Sequence, residues 1–204
     1  MAINVDHNEI PRTTIEAKRW WRARIREAQK GLTKEYIDHA SALIAKSLME
    51  LDEYKNAKTV MLYVSTSKEV ATGHLMQFAH QDGKRVGLPL CTDTKEHLME
   101  AKLWDADHPL VDGAYGLKEP PVDAETIDPE SIDLLVLPCM SCDAEGNRLG
   151  HGAGYYDRYI NRLRDDCAMV ALCFEEILAE KIPTEDHDEA VDAVVTENNV
   201  YRSK

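Results

Sequence analysis

The chain has 204 residues, of which 44% are hydrophobic and 30% charged, with a formal net charge of −13. That is the composition of a folded globular domain, not of a disordered or fibrous chain, and so acidic a balance argues against a general nucleic-acid binder, which presents a basic face. No apolar run approaches the ~20 residues of a membrane span, and the opening MAINVDHNEIPRTT holds no apolar segment flanked by basic residues, so the expectation is a cytoplasmic protein with neither a secretory signal nor a membrane partner.

Residues 1–12 are expected to form an N-terminal extension, free to be flexible, ahead of a single domain over 13–204. Thr13 and Glu16 have capping-box spacing, which predicts a helix to about Lys30, ended by Gly31. This stretch is basic, with Lys18, Arg19, Arg22, Arg24 and Arg26 among its residues. Thr33 then caps a second helix, whose apolar Tyr36, Ile37, Ala40, Ile44, Leu48 and Leu51 recur at three and four residues. Thr59–Val64 reads as a short buried strand, residues 71–81 as a helix closed by Asp82-Gly83, and Arg85–Leu90 as a second strand. Together they make one βαβ unit, which favours a parallel sheet. His97–Leu103 reads as a further strand, and residues 105–133, rich in Pro, Gly and Asp, as a long irregular connection. Leu134–Leu137 is the most apolar strand and ends at Pro138; a helix over 155–164 and strands over 168–172 and 190–195 complete the chain. The fold class expected is single-domain α/β with an N-terminal helical pair.

Five cysteines, an odd and scattered set, read as reduced thiols, not a disulfide framework. Cys139 and Cys142 form a CxxC, but no second pair or histidines at ligand spacing accompany it, so unpaired thiols are expected there in preference to zinc. Of the three tryptophans, Trp20 and Trp21 offer a choice between stacking on a base and packing in the core.

The most unusual stretch is GNRLGHGAGYYDRY, residues 146–159, which holds four of the chain's ten glycines. It follows a buried strand and opens a helix, where ligands gather in parallel sheets. One reading is a phosphate cradle, with backbone N–H groups, Arg148, His151 and Arg158 as donors; the other is a turn that needs several positive φ angles. It is neither a Walker loop nor the dinucleotide fingerprint. Asp157 could hold Mg²⁺ beside phosphates or serve as an acid in the first turn of a helix. Lys18 and Arg22, four apart, could clamp phosphates or form a solvated helix face. Glu69 and Asp188 taken alone read as a carboxylate before a helix and a solvated loop charge.

The stretch Asp143 to Asp157 resembles the signature of the 5-formyltetrahydrofolate cyclo-ligases (5,10-methenyltetrahydrofolate synthetases), D-x-x-G-x-R-L-G-x-G-x-G-Y/F-Y-D. Lys18-x-x-x-Arg22, Ser65–Thr72, Gly83–Pro89 and the segments Ile182–Asp188 and Val191–Thr196 fit the same family in the same order, so the resemblance covers about residues 15–197. It implies a Rossmann-like, mostly parallel, three-layer α/β/α sandwich. It also implies conversion of 5-formyltetrahydrofolate to 5,10-methenyltetrahydrofolate: ATP phosphorylates the formyl oxygen, folate N10 attacks the activated carbon, and ADP and phosphate leave. Carried over residue by residue, Lys18, Arg148 and Asp157 would be catalytic. Lys18, Arg22, Arg148, Leu149, Gly150, His151, Gly152, Ala153, Gly154, Tyr155 and Tyr156 would bind ATP. Val64, Glu69, His151, Gly152, Ala153, Gly154 and Tyr155 would bind the folate, polyglutamylated or not, and Asp157 and Asp188 would hold Mg²⁺. A monomer is expected. Two departures stand out: Ala153 where the family often has lysine or glycine, and Cys142 where an aromatic is common. The rival readings are a relative with a changed substrate, a folate-binding protein that does not turn over, and a nucleotide-binding module that ignores folate.

Overall fold

The computed structural model describes Ile3, residues 5–186 and residues 188–203; the rest of the expected N-terminal extension, His187 of the C-terminal motif and Lys204 lie outside the described residues. Helix α1 (Thr14–Gln29) begins as its capping box predicts: Thr13 accepts from the Glu16 N–H, and its hydroxyl donates to the Glu16 carboxylate at 2.7 Å. Its buried face is Ala17, Lys18, Trp21, Ile25 and Gln29. Helix α2 (Lys34–Glu50) is capped by Thr33 in the same way, and the short α3 (Asp52–Asn56) leads into β1 (Thr59–Met61). Then come α4 (Gly73–Gln81), β2 (Arg85–Asp93), β3 (Leu98–Leu103), β4 (Val111–Asp112), β5 (Lys118–Glu119), β6 (Thr126–Ile127) and β7 (Leu134–Leu137). The hairpin β8 (Ser141–Cys142) and β9 (Arg148–Leu149), helix α5 (Tyr155–Ile160), and strands β10 (Ala168–Leu172), β11 (Ala193–Val195) and β12 (Val200–Arg202) finish the fold.

The main sheet has eight strands in the order β12-β11-β10-β7-β1-β2-β3-β6. The five from β11 to β2 are parallel; β12 and β3 run against them, and β6, antiparallel to its neighbour β3, runs with them again. All of β7 is buried, every residue at 0% exposure, which requires cover on both faces and makes the sheet a middle layer. The chain leaves β1 toward β2 on one side and returns to β7 on the other. The crevice beyond the carboxyl ends of β1 and β7 is therefore the switch point at which such sheets bind ligands. No helix among the described residues is long and apolar enough to cross a membrane.

The structure departs from the sequence expectations at element ends. The first strand stops at Met61 instead of Val64, because Thr72 donates its hydroxyl to the Tyr63 carbonyl at 2.5 Å and so draws the chain out of the ladder. Thr72 is also the N-cap, so α4 starts at Gly73, not 71. Helix α5 ends at Ile160, four residues early, in turns closed by bonds to the carbonyls of Tyr159 and Ile160. The last predicted strand begins at Ala193, not 190. The connection over 105–133 contains β4, β5 and β6, the last of them in the main sheet. The described part of the N-terminal segment meets the domain: Ile3 donates to the Leu178 carbonyl at 2.9 Å, and Val5 and Ile10 pack against a small cluster built on Trp21, Ile25 and Leu149.

Candidate active site

The loop begins in a hairpin that one carboxylate organises. Asp143, at 0% exposure, accepts from the Glu145 and Asn147 N–H groups through Oδ1, and from the Asn147 amide and the Ile182 N–H through Oδ2, at 2.8 to 3.1 Å. A buried acceptor used this fully positions backbone. It ties β8–β9 to the segment leading to Asp188. Cysteine 142 pairs with Arg148 across the hairpin, which sets where the arginine emerges.

The reading of the glycines as a turn with several positive φ angles holds. Gly146, Gly152 and Gly154 have φ of +90°, +104° and +77°, conformations that other residues resist. A Cβ on Gly152 would also come within 3.2 Å of the Arg22 guanidinium carbon. The loop is therefore both a strained turn and a place of close approach. With only six residues, α5 is too short to contribute a large terminal charge, so positive potential here comes from side chains.

Two cavities meet at this loop. One, of about 430 Å³, is mainly apolar and aromatic: Tyr63, Val64, Pro89, Met99, Tyr115, Leu117, Tyr155 and Tyr156 line it, with Glu69 and His151 among its few polar groups. The other, of about 530 Å³, is polar, with Lys18, Arg22, Arg148, Asp157, Arg158, Glu185 and Asp188 in its wall. Arg148, Gly152, Ala153, Gly154 and Asp157 line both. The glycine loop is thus the partition between an apolar pocket and a cationic cleft.

The charged groups hold one another in place. Lys18, only 9% exposed, bonds Asp188 at 2.5 Å and Glu185 at 2.9 Å. Arg22 donates through Nε to the Gly150 carbonyl at 2.9 Å. Burial, with Arg26 alongside, lowers the pKa of its guanidinium, while Asp157 and Asp188 oppose that shift. Arg148 donates to Asp157 at 2.6 Å and to the Pro138 carbonyl at 3.4 Å. In the apolar pocket, Glu69 accepts from the Thr66 N–H at 2.8 Å and meets His151 Nε2 at 3.2 Å. Burial pushes the Glu69 carboxyl upward, but the bonds from His151 and Thr66 outweigh it and hold the group below the usual carboxylate range.

The expected residues therefore converge, with a finer division than the motif implied. Lys18, Arg22, Arg148, Leu149, Gly150, Gly152, Ala153, Gly154, Asp157 and Asp188 line the polar cleft. The side chain of Leu149 is buried in the Trp21 cluster, which leaves its backbone facing the cleft. His151, Tyr155 and Tyr156 line the apolar pocket and not the cleft. Of the tryptophan pair, Trp21 is core at 1% exposure, and Trp20 carries Arg24 over its ring at 5.0 Å. Sequence reasoning missed Glu185 and Asn161 in the cleft and Tyr63, Tyr115, Leu117 and Glu119 in the pocket, whereas Arg158, read as a donor, does line the cleft. Glu185 lay inside a recognised motif, whereas Tyr115 and Glu119 come from the stretch read as irregular and carry no local signal.

A doubly wound α/β sheet with a cationic cleft against an apolar pocket at its switch point defines a class of protein that brings a phosphate-bearing ligand against a second, flatter one. The model of the 5-formyltetrahydrofolate cyclo-ligase family matches residues 14–197. A Schizosaccharomyces pombe protein named as a probable 5-formyltetrahydrofolate cyclo-ligase is 34% identical, over 84% of this chain and 91% of its own. The 5-formyltetrahydrofolate cyclo-ligase of Saccharomyces cerevisiae is 32% identical, over 89% of this chain and 95% of its own. Among solved structures, the Aquifex aeolicus 5,10-methenyltetrahydrofolate synthetase superposes with a TM-score of 0.80 at 30% identity, over 92% of this chain and 93% of that one. The chain belongs to the 5-formyltetrahydrofolate cyclo-ligase family.

Proposed function

We propose that this chain converts 5-formyltetrahydrofolate to 5,10-methenyltetrahydrofolate with ATP, and that the two ligands react across the glycine loop. The observation that carries this reading is the shared wall: the same five residues face the apolar pocket and the cationic cleft. An amide-like formyl oxygen is a poor leaving group. Its attack on the γ-phosphorus forms an O–P bond and breaks the bond to ADP; folate N10 then attacks the formyl carbon, and phosphate leaves with the oxygen.

In this reading the pterin lies in the apolar pocket with its N–H groups on Glu69, an acceptor-only carboxylate, and Val64 and Tyr155 pack against it. The triphosphate lies in the cleft on Lys18, Arg22, Arg148 and the loop backbone. Phosphoryl transfer asks mainly for alignment and charge neutralisation, and these cations, already fixed by Asp188, Asp157 and Gly150, are preorganised for it. Arg158 donates to the Ala153 and Gly154 carbonyls at 3.3 and 3.0 Å and so puts a charge beside Ala153, where the side chain has none.

The donor set fits Mg²⁺. Asp157 and Asp188 both line the cleft, both act on Arg22, and both offer hard oxygens. They would hold the ion, which supplies charge neutralisation at phosphate oxygens. The protein would work as a cytoplasmic monomer.

The test is a turnover assay that follows the near-ultraviolet absorbance of the methenyl product. Absorbance should grow only with ATP and Mg²⁺ both present, and Asp157→Asn should slow it by about 100-fold or more, the scale of one lost electrostatic stabiliser. Folate binding without ATP-dependent product would overturn the reading in favour of a binding protein.

A further inference from the structure

Outside the machinery above, the described residues contain one cluster of metal-ligating side chains: Cys139, Cys142 and Cys173. Cys139 lies in the turn between β7 and β8, Cys142 ends β8, and Cys173 follows β10, so two distant segments of the chain bring the three together. All three are buried, at 6%, 0% and 2% exposure, and their sulfurs lie within 4.8 Å of one another. Three sulfurs around one ion at about 2.3 Å would be separated by about 3.8 to 4.0 Å. The trio needs less than about 1 Å of closure to reach that spacing.

Packing alone accounts for a buried cysteine, since a free thiol behaves as a small hydrophobe. It does not require three thiols to face one another. Cys139 and Cys173 donate their thiols to the Leu172 and Phe174 carbonyls at 3.2 and 3.5 Å, which fixes two of the three sulfurs in the cluster. The Arg148 guanidinium, paired with Cys142 across the hairpin, brings a positive charge near the cluster.

We propose that Cys139, Cys142 and Cys173 form a binding site for a single soft d¹⁰ cation of the Zn²⁺, Cd²⁺ and Cu⁺ class. Thiolate donors select such ions over Mg²⁺, which keeps this site chemically separate from the oxygen donors of the cleft. Each S–M bond that forms breaks one S–H bond, and the proton leaves to solvent, up to three per ion. A divalent ion with three thiolates carries one net negative charge, which Arg148 partly offsets.

The test uses Cd²⁺ on the fully reduced, full-length protein. One equivalent should bind with sulfur-to-cadmium charge-transfer absorbance, proton release and a ¹¹³Cd resonance characteristic of three thiolates. Cys173→Ala should weaken uptake by more than about 100-fold, beyond the loss of an outer-shell partner, while Cys167→Ala, a buried cysteine outside the cluster, should leave it unchanged. Should Cys173→Ala fail to fold, X-ray absorption on the wild-type complex decides by its sulfur count. Substoichiometric uptake, fewer than three sulfurs, or uptake indifferent to Cys173 would overturn the proposal.

Discussion

Asp143 and Glu69 are both buried carboxylates, yet they do different work. Asp143 spends both oxygens on four N–H groups of the chain itself. Replacing it with alanine leaves those donors without their acceptor, and the expected cost is about 3 kcal/mol or more, measured by urea unfolding; a loss under about 1 kcal/mol would mean that the hairpin holds without it. Glu69 keeps acceptor capacity turned into a pocket. Its folded pKa is lowered, so the stability it adds is present above its unfolded value of about 4.3 and is lost as pH falls through the folded value. The stability difference between wild type and Glu69→Gln should shrink as the pH falls below about 5. Denaturant midpoints across an acid series would check this, and a difference that grows on acidification would contradict the assigned direction. Lys18 shows why a residue's role escapes local reading: its helical spacing with Arg22 was visible, but its burial against Asp188 and Glu185 depends on a segment about 170 residues further along.

At the scale of elements, α1 matters most, because one turn of it carries Lys18 and Arg22 into the cleft while Trp21 and Ile25, on the same buried face, anchor it to the domain. Weakening its start should therefore loosen the nucleotide side first. Thr13→Ala removes the N-cap acceptor and should cost about 1 kcal/mol of stability, with ATP affinity falling more than folate affinity; thermal unfolding and separate titrations would show it, and an equal fall in both would detach α1 from the cleft. The helical pair, the βαβ unit and the parallel core were legible because caps and apolar periodicity are local signals. Element ends were not: Thr72 ends one element and begins another through a bond to Tyr63, nine residues back. The β4–β5 hairpin, only two residues on each strand, has no periodicity to detect, so Tyr115 stayed hidden although it meets the Tyr155 hydroxyl at 3.0 Å. The CxxC looked incomplete because Cys173 lies 31 residues beyond Cys142 and joins it only through the pairing of β7 with β10.

At the scale of the whole molecule, an acidic chain with net charge −13 gathers Lys18, Arg22, Arg148 and Arg158 in one cleft, so in the proposed reaction local potential, not total charge, would receive the anionic substrates. The order of strands places that cleft: β1 and β7 are neighbours in the sheet although 72 residues separate their ends, and the loop after β7 becomes the wall between two cavities. The family and the general fold follow from the motif, whereas the division of its residues between two cavities required the structure. The central claim is that division. Calorimetric titration of 5-formyltetrahydrofolate and of ATP with Mg²⁺, each alone, into wild type, Glu69→Gln and Lys18→Met tests it most directly. Glu69→Gln should weaken folate by about tenfold or more, the scale of a lost charge-assisted acceptor, and leave ATP nearly unchanged, while Lys18→Met does the reverse. If either variant lost both ligands equally while remaining folded, or if the two effects were exchanged, the glycine loop would not be the partition described.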